Sequence, residues 1–424
     1  MDRAYLIGVL LPGETADKVT EQMAELAELA RTAGAEVVGS EVQARRQVEP
    51  SHFIGKGKVN LLAELKTEGA FDIVMCNEDL SPRQQRNLER DLKTRVLDRT
   101  EVILEIFAQH ARTHEGRLQV EAARLHHMLP RLIGSYSYDR QVGGQRGGLG
   151  SRGGPGEQQI EVERRRIRKR IKDLDREIEQ VRSQRRQQRT GRRRAELETI
   201  AIVGYTNAGK STLLNTLTGA GVSAEHRLFA TLDPTTRRLQ LPSGRGLLLT
   251  DTVGFIQKLP TDLVAAFRAT LEEVTEADIV LEVLDLSAPS VEDHAATVEQ
   301  ILADLGAADK PRVVALNKVD RLGPSARRRA VQRLMGRYPK AVPVSAINMS
   351  GFAELHQAID AATRGDSVPL ELLVPYGSEG VLAELRSIGG VERTEYVERG
   401  TRAWGWAPRH AAPRFEPYEA PKTA

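Results

Sequence analysis

From the start of the chain to residue 98, apolar positions follow two alternating rhythms. Short β-type runs, "YLIGVLL", "AEVVGSEV", "FDIVMCN" and "TRVLD", are separated by amphipathic stretches. Two of these, "ADKVTEQMAELAELARTAG" and "KVNLLAELKTEG", stop at glycine, and a third, "SPRQQRNLERDL", opens on a Ser cap and Pro82. Such alternation predicts a small parallel α/β domain over residues 1–98. The loop "FIGKGK" joins a strand to a helix; it is read as a fitted turn, with phosphate binding through its amides and Lys56 or Lys58 as the alternative.

Over residues 99–198 the rhythm changes. Leu118, Ala122, Leu125, Leu129 and Leu132 alternate spacings of four and three, and so do Ile167, Ile171, Leu174, Ile178 and Val181. These are coiled-coil seams, so two long helices are expected to pair as an antiparallel hairpin, with Pro130 ending or kinking the first. Between them, at about 140–158, lies the glycine-rich "VGGQRGGLGSRGGPGEQQ", too long for a tight turn and unable to build a core. It is either a plain linker or a flexible cationic tip carrying Arg140, Arg146 and Arg152, suited to a crevice of folded RNA.

Residues 199–365 return to buried strands alternating with helices, a second α/β domain. Residues 366–410 read as strand, helix and hairpin, a small α+β module holding Trp404 and Trp406 on one face, as core or as an interaction surface. The Pro-rich end, 411–424, is expected to be disordered. The fold class is thus α/β and multidomain: a parallel α/β domain, a helical hairpin arm, a second α/β domain and a small α+β module.

Composition adds one decisive point. A chain of 424 residues with 40% hydrophobic and 28% charged residues is that of a soluble globular protein, and its net charge is only +3. Between Glu161 and Arg194, however, fifteen Arg or Lys face six Asp or Glu, a local +9 that leaves −6 for everything else. A polyanion partner is the simplest cause of charge gathered on one element. The candidate contacts are Arg164, Arg165, Arg166, Arg168, Lys169, Arg170, Arg185, Arg186, Arg192, Arg193 and Arg194. "KDLDREIE" instead reads as a solvated face with intrahelical pairs. Few aromatics lie nearby, so backbone contact is expected over base stacking. The single cysteine, Cys76, sits in an apolar run and reads as a buried hydrophobe. No basic leader or apolar stretch of membrane-spanning length appears, so a cytoplasmic protein without a membrane span is expected.

The chemistry concentrates in the third region. "AIVGYTNAGKSTLLN" is a strand, a phosphate loop and a helix, the context that the motif requires. The loop and first helical turn comprise Gly204, Tyr205, Thr206, Asn207, Ala208, Gly209, Lys210, Ser211 and Thr212. Backbone N–H groups wrap the β-phosphate, Lys210 bridges β- and γ-phosphates, and the Ser211 hydroxyl is a magnesium ligand. "FATLDPTTRR" supplies a first switch, Phe229, Ala230, Thr231, Leu232 and Asp233, in which Thr231 can ligate magnesium and contact the γ-phosphate. "LLLTDTVGF" supplies a second, Asp251, Thr252, Val253 and Gly254, with Asp251 holding magnesium through water and the Gly254 N–H facing the γ-phosphate. Phe255 follows, where many such switches place a water-orienting Gln. "NKVD" brings Asn317, Lys318, Val319 and Asp320; the Asp320 carboxylate matches the N1–H and exocyclic amine of guanine, which adenine lacks, so GTP is the nucleotide. Ser345 and Ala346 supply the loop over the guanine, and Ile347 stands where many GTPases have Lys, so backbone contact is expected there; these elements together read as a P-loop GTPase domain.

With these elements in place, the chain resembles the HflX family of ribosome-associated GTPases, of the translation-factor class and the Obg-HflX superfamily. The resemblance rests on "VGYTNAGKSTLLN", "FATLDPTTRR", "DTVGFI", "HARTHEGRLQVEAARLHHMLPRL" and "RRRIRKRI", and runs from about residue 4 to about 408. It implies magnesium-dependent GTP hydrolysis, binding of the large ribosomal subunit and its RNA rather than DNA, and splitting of stalled or idle ribosomes under stress. A hydrophobic residue at Phe255 also fits the family, and kin use an Asn at the place of Asn207 to ligate potassium. The protein is expected to act as a monomer. The alternative is a nucleotide-gated RNA-remodelling protein; a GTP-dependent enzyme of tRNA modification is disfavoured because no second catalytic constellation appears.

Overall fold

The computed structural model describes residues 1–132, 155–193, 197–219, 228–229, 231–257, 268–365, 367–378, 380–409 and 411–420, with backbone only at 155–160, 185–193 and 268–270. The glycine-rich tip with Arg140, Arg146 and Arg152 lies outside them, as do Arg194 and Ala230. The chain forms two compact units: Met1–Ser183 with Arg227–Leu232 and Leu259–Arg268, and Gln184–His226 with Asp233–Lys258 and Ala269–Ala424.

In the first unit, β1 (Arg3–Leu10), α1 (Ala16–Thr32), β2 (Glu36–Ala44), α2 (Lys56–Thr67), β3 (Ile73–Cys76), α3 (Pro82–Leu92) and β4 (Arg95–Leu97) alternate as the periodicity predicts. The sheet is parallel in the order β2-β1-β3-β4. Ser81 caps α3 through a reciprocal box with Gln84, with Pro82 in the first turn. Cys76 is buried in the core with Ile7, Val74 and Phe71.

Helix α4 (Arg99–His110) begins at residue 99, where the apolar rhythm changes. Val102, Ile103, Leu104, Ile106 and Phe107 are all buried, too wide an apolar face for a two-helix seam. It packs against α5 as well as against α1, β3 and β4. The arm itself is α5 (His114–Arg131) and α6 (Pro155–Arg193), with Pro130 inside the last turn of α5. Leu118, Ala122, Leu174 and Ile178 form their shared core, flanked by Leu125. Leu118 thus meets the far end of the α6 seam, as antiparallel pairing requires, and Arg170 reaches across to Glu121 at 2.7 Å.

The second unit carries β5 (Thr199–Gly204), α7 (Lys210–Thr218), β6 (Thr235–Gln240), β7 (Gly246–Asp251), α8 (Arg268–Glu276), β8 (Ile279–Asp285), α9 (Val291–Asp304), β9 (Arg312–Asn317), α10 (Pro324–Met335), β10 (Val342–Pro343) and α11 (Phe352–Thr363). The sheet order is β10-β9-β8-β5-β7-β6, parallel except for β6. Its central strands are largely apolar, as expected where helices cover both faces, with buried Glu282 of β8 paired to Arg312 at 3.3 Å. The carboxyl ends of β5, β7, β8 and β9 deliver Gly204, Asp251, Asp285 and Asn317 to one edge, where α/β folds bind ligands.

Beyond it, β11 (Ser367–Val374), α12 (Gly380–Ile388), β12 (Gly390–Val397) and β13 (Gly400–Pro408) make an antiparallel sheet in the order β11-β13-β12. Its core includes Leu372, Leu385, Ala403 and Ala407. Trp404 and Trp406 share the opposite face; Trp406 is buried beneath the guanidinium groups of Arg245 and Arg364, and Trp404 is flanked by those of Arg393 and Arg402. The end of the chain differs from expectation. Ala412–Tyr418 form a 3-10 helix, Phe415 is buried in the same core, and the Ala420 N–H donates to Glu371 at 2.8 Å. Two aromatics among the prolines, Phe415 and Tyr418, supply the anchorage that composition alone concealed.

Candidate functional site

The phosphate loop is built by close packing. Gly209 is left-handed (φ 95°), and a Cβ there would come within 2.4 Å of the Asn317 amide nitrogen. Only glycine fits both conditions. Asn207 is also left-handed (φ 59°), which Asn tolerates, and is exposed at the mouth of the loop. Ala208 joins the core, and α7 begins at Lys210 with its N-terminus aimed back along the loop. Thr212 continues the first turn, accepting from Thr216.

Lys210 is buried and folds its ammonium onto the carbonyls of Gly204 (3.2 Å) and Tyr205 (3.0 Å). Burial pushes it down to about 8, with the Lys318 charge acting in the same direction and Asp251 opposing. A buried cation so weakly compensated is poised to gain from a phosphate. Next to it, the Ser211 hydroxyl donates to Asp251 Oδ2 at 2.6 Å. Two hard oxygen donors at one corner, one already a carboxylate, fit magnesium, which would neutralise phosphate charge there. The second metal hydroxyl, Thr231, lies in the stretch grouped with the first unit. There Phe229 packs edge-on against Phe107 (4.7 Å), and Phe229 and Leu232 are buried.

The second switch is hung on the phosphate loop by its backbone. Thr252 donates its hydroxyl to Ile202 O (2.6 Å), and Val253 is buried. Phe255 N–H donates to Gly204 O (3.1 Å) and Thr206 N–H to Phe255 O (2.7 Å). Gly254 lies so close that a Cβ would sit 2.9 Å from Lys210 Nζ and from Thr206. The Phe255 side chain is 1% exposed, a core group rather than a face for water.

The guanine end is wired through side chains. Asn317 donates to Ala208 O (2.9 Å) and accepts from Ala346 N–H (3.0 Å), tying phosphate loop to base loop. Lys318, also left-handed, reaches Asn207 O (2.6 Å) and pairs with Asp285 (2.8 Å). Val319 N–H donates to Val344 O (3.3 Å). Asp320 is exposed, with Oδ1 held by the Ser345 hydroxyl at 2.5 Å. Ile347 is 63% exposed beside this loop. Three partners escaped the sequence reading: Asp285, His294, and Thr216, whose hydroxyl bonds Ala346 O (2.8 Å). No motif marks them; a polar residue ending an apolar strand was the one available signal, at Asp285.

On the arm, Arg164, Arg165 and Arg168 share the single carboxylate of Glu161 at 3.6–3.9 Å. Arg166 and Lys169 are exposed and have no ion pair among the described residues. Arg185, Arg186, Arg192 and Arg193 continue the same helix, known by backbone alone.

Comparison with known proteins agrees with this geometry. Residues 20–108 match the family described as GTP-binding GTPase N-terminal, 110–192 the GTP-binding GTPase middle region, and 199–318 the 50S ribosome-binding GTPase. The chain is 43% identical over 401 residues to GTPase HflX of Caldanaerobacter subterraneus subsp. tengcongensis, covering 94% of this chain and 89% of that one. It is 40% identical over 387 residues to GTPase HflX of Escherichia coli, covering 91% and 89%. A crystal structure of a Sulfolobus solfataricus GTP-binding protein with GDP aligns over 85% of this chain and 98% of that one, at 24% identity and a TM-score of 0.46. Matched over 94% of its length to a GTPase HflX and by three consecutive family regions between residues 20 and 318, this chain belongs to the HflX family of GTPases.

Proposed function

We propose that this GTPase binds the large ribosomal subunit in its GTP state, separates stalled or idle ribosomes under stress, and leaves after hydrolysis. The observation that carries this reading is the arm: a helix of 39 residues with one apolar seam and a basic surface of which Arg166 and Lys169 lack any acidic partner among the described residues. A duplex or folded RNA backbone supplies the missing anions. The family description of residues 199–318 as a 50S ribosome-binding GTPase supports the same partner. The protein then acts as a cytoplasmic monomer, and among the described residues no helix is long and apolar enough to cross a membrane.

In this reading Ser211 and Thr231 hold magnesium directly and Asp251 through water, Lys210 meets the β- and γ-phosphates, and Asp320 reads guanine. Without a Gln at position 255, intrinsic turnover is slow and the ribosome orders the switches. Asn207, exposed at the loop mouth, holds a potassium ion that stabilises charge between β- and γ-phosphates. Equal turnover in potassium and sodium would remove the ion from the scheme.

Sedimentation with intact ribosomes and isolated subunits, in GTP, GDP or a non-hydrolysable analogue, tests the main proposal. GTP-state binding to the large subunit with loss of intact ribosomes is expected. Binding indifferent to nucleotide, or equal on any RNA, favours the RNA-remodelling alternative instead.

A further inference from the structure

Phe255 leaves the hydrolytic step without a side chain to order water, so the switch backbone must do the work, and a backbone is only as well placed as whatever anchors it. We propose that Tyr205 is a positioning residue for hydrolysis, fixing the second switch against the phosphate loop. Tyr205 belongs to the loop by its main chain, where its carbonyl accepts from Lys210 at 3.0 Å. Its side chain leaves the loop and reaches the switch: the Gln257 N–H donates to the Tyr205 hydroxyl at 2.9 Å. The ring is almost wholly buried and lies flat on His294 of α9, with centroids 3.7 Å apart and planes 10° from parallel. His294 is in turn within 3.1 Å of the Ser290 hydroxyl.

Residues 255–257 therefore have three attachments to Gly204–Thr206. Two are the main-chain hydrogen bonds at Phe255, which any sequence can make. The third is the tyrosine hydroxyl, which needs this side chain on a ring held in place by stacking. Between the anchored residues and the loop sits Gly254, flush against Lys210 and Thr206, so a small shift of the switch moves its N–H relative to the γ-phosphate that Lys210 would meet. The hydroxyl bonds the second switch at Gln257. Its contribution falls on the rate rather than on binding.

This inference rests on GTP hydrolysis at this site and is independent of the ribosomal partner. The test compares wild type with Tyr205→Phe, which keeps the ring and its stack, and His294→Ala, which keeps the hydroxyl and removes the support. Intrinsic GTP hydrolysis is measured at saturating GTP, with KM, the Kd for a fluorescent GDP analogue and the melting temperature. For Tyr205→Phe, kcat falls about tenfold, the rate equivalent of one ordinary hydrogen bond, while KM and Kd stay within about twofold. His294→Ala lowers kcat in the same direction. An unchanged or raised kcat in Tyr205→Phe overturns the proposal, as does a loss carried only by KM, Kd or melting. If wild type fails to bind the large subunit, the ribosomal reading falls while this comparison still stands.

Discussion

The two ends of the nucleotide site are held together by different chemistry. At the guanine end, Asn317, Lys318, Asp320 and Ser345 spend their side chains on one another's loops, and each bond joins residues far apart in sequence. At the phosphate loop, main-chain oxygens hold the groups instead: Lys210 rests on the carbonyls of Gly204 and Tyr205, and the Thr206 N–H on that of Phe255. A base must be read identically in every state, so a rigid side-chain network suits it. A γ-phosphate must be sensed by its arrival and loss, and backbone bonds that can be traded for phosphate suit that.

The sharpest way to break this contrast is Asp320→Asn. It should lower GDP affinity about a hundredfold or more and shift preference toward xanthine nucleotide, measured by competition binding, because the amide cannot accept both guanine donors. Retained guanine preference would mean that Asp320 does not read the base. At the other end, Ser211→Ala should weaken magnesium-dependent GDP binding by roughly tenfold and displace the magnesium titration to higher concentration, with little change when magnesium is absent.

Acidity separates the ends further. Because burial lowers free Lys210 to about 8 and bound phosphate favours its charged form, nucleotide binding takes up a proton above that pH. GDP affinity should therefore fall as pH rises past 8, by a few-fold up to about tenfold per unit. Calorimetry in buffers of different ionisation heat detects the uptake. In nucleotide-free protein the sign reverses: between about 8 and about 10.4 the unfolded chain holds more protons, so stability rises across that window. The smallest expected effect is that of Phe255→Gln on rate. The side chain at 255 points into the core, so intrinsic hydrolysis should not increase, while the buried amide costs about 1–3 kcal/mol in a melting experiment. A gain in rate would show that the switch turns its side chain outward in the reacting state.

Much of this was readable along the chain. The alternation of apolar runs gave the strands of both α/β sheets, and the heptad positions Leu118, Ala122, Leu174 and Ile178 gave the hairpin core. Glycines and charged residues at fixed spacing marked the phosphate loop and singled out Asp320 as the proposed reader of guanine. The burial of Val102, Phe107 and Phe415 was not readable in the same way, because it depends on surfaces supplied by other elements of the fold.

The sequence by itself determined that this is a GTPase and which loops are proposed to hold the nucleotide, because those motifs are local and their chemistry follows from residue type and spacing. Only the tertiary structure decided that Phe255 is a core residue, that Asp285 pairs with Lys318, and that Tyr205 links the loop to Gln257 and His294. Tyr205 and Gln257 lie 52 residues apart. No periodicity reports such a contact, because it is set by two strands meeting side by side in the sheet rather than by any pattern within either one.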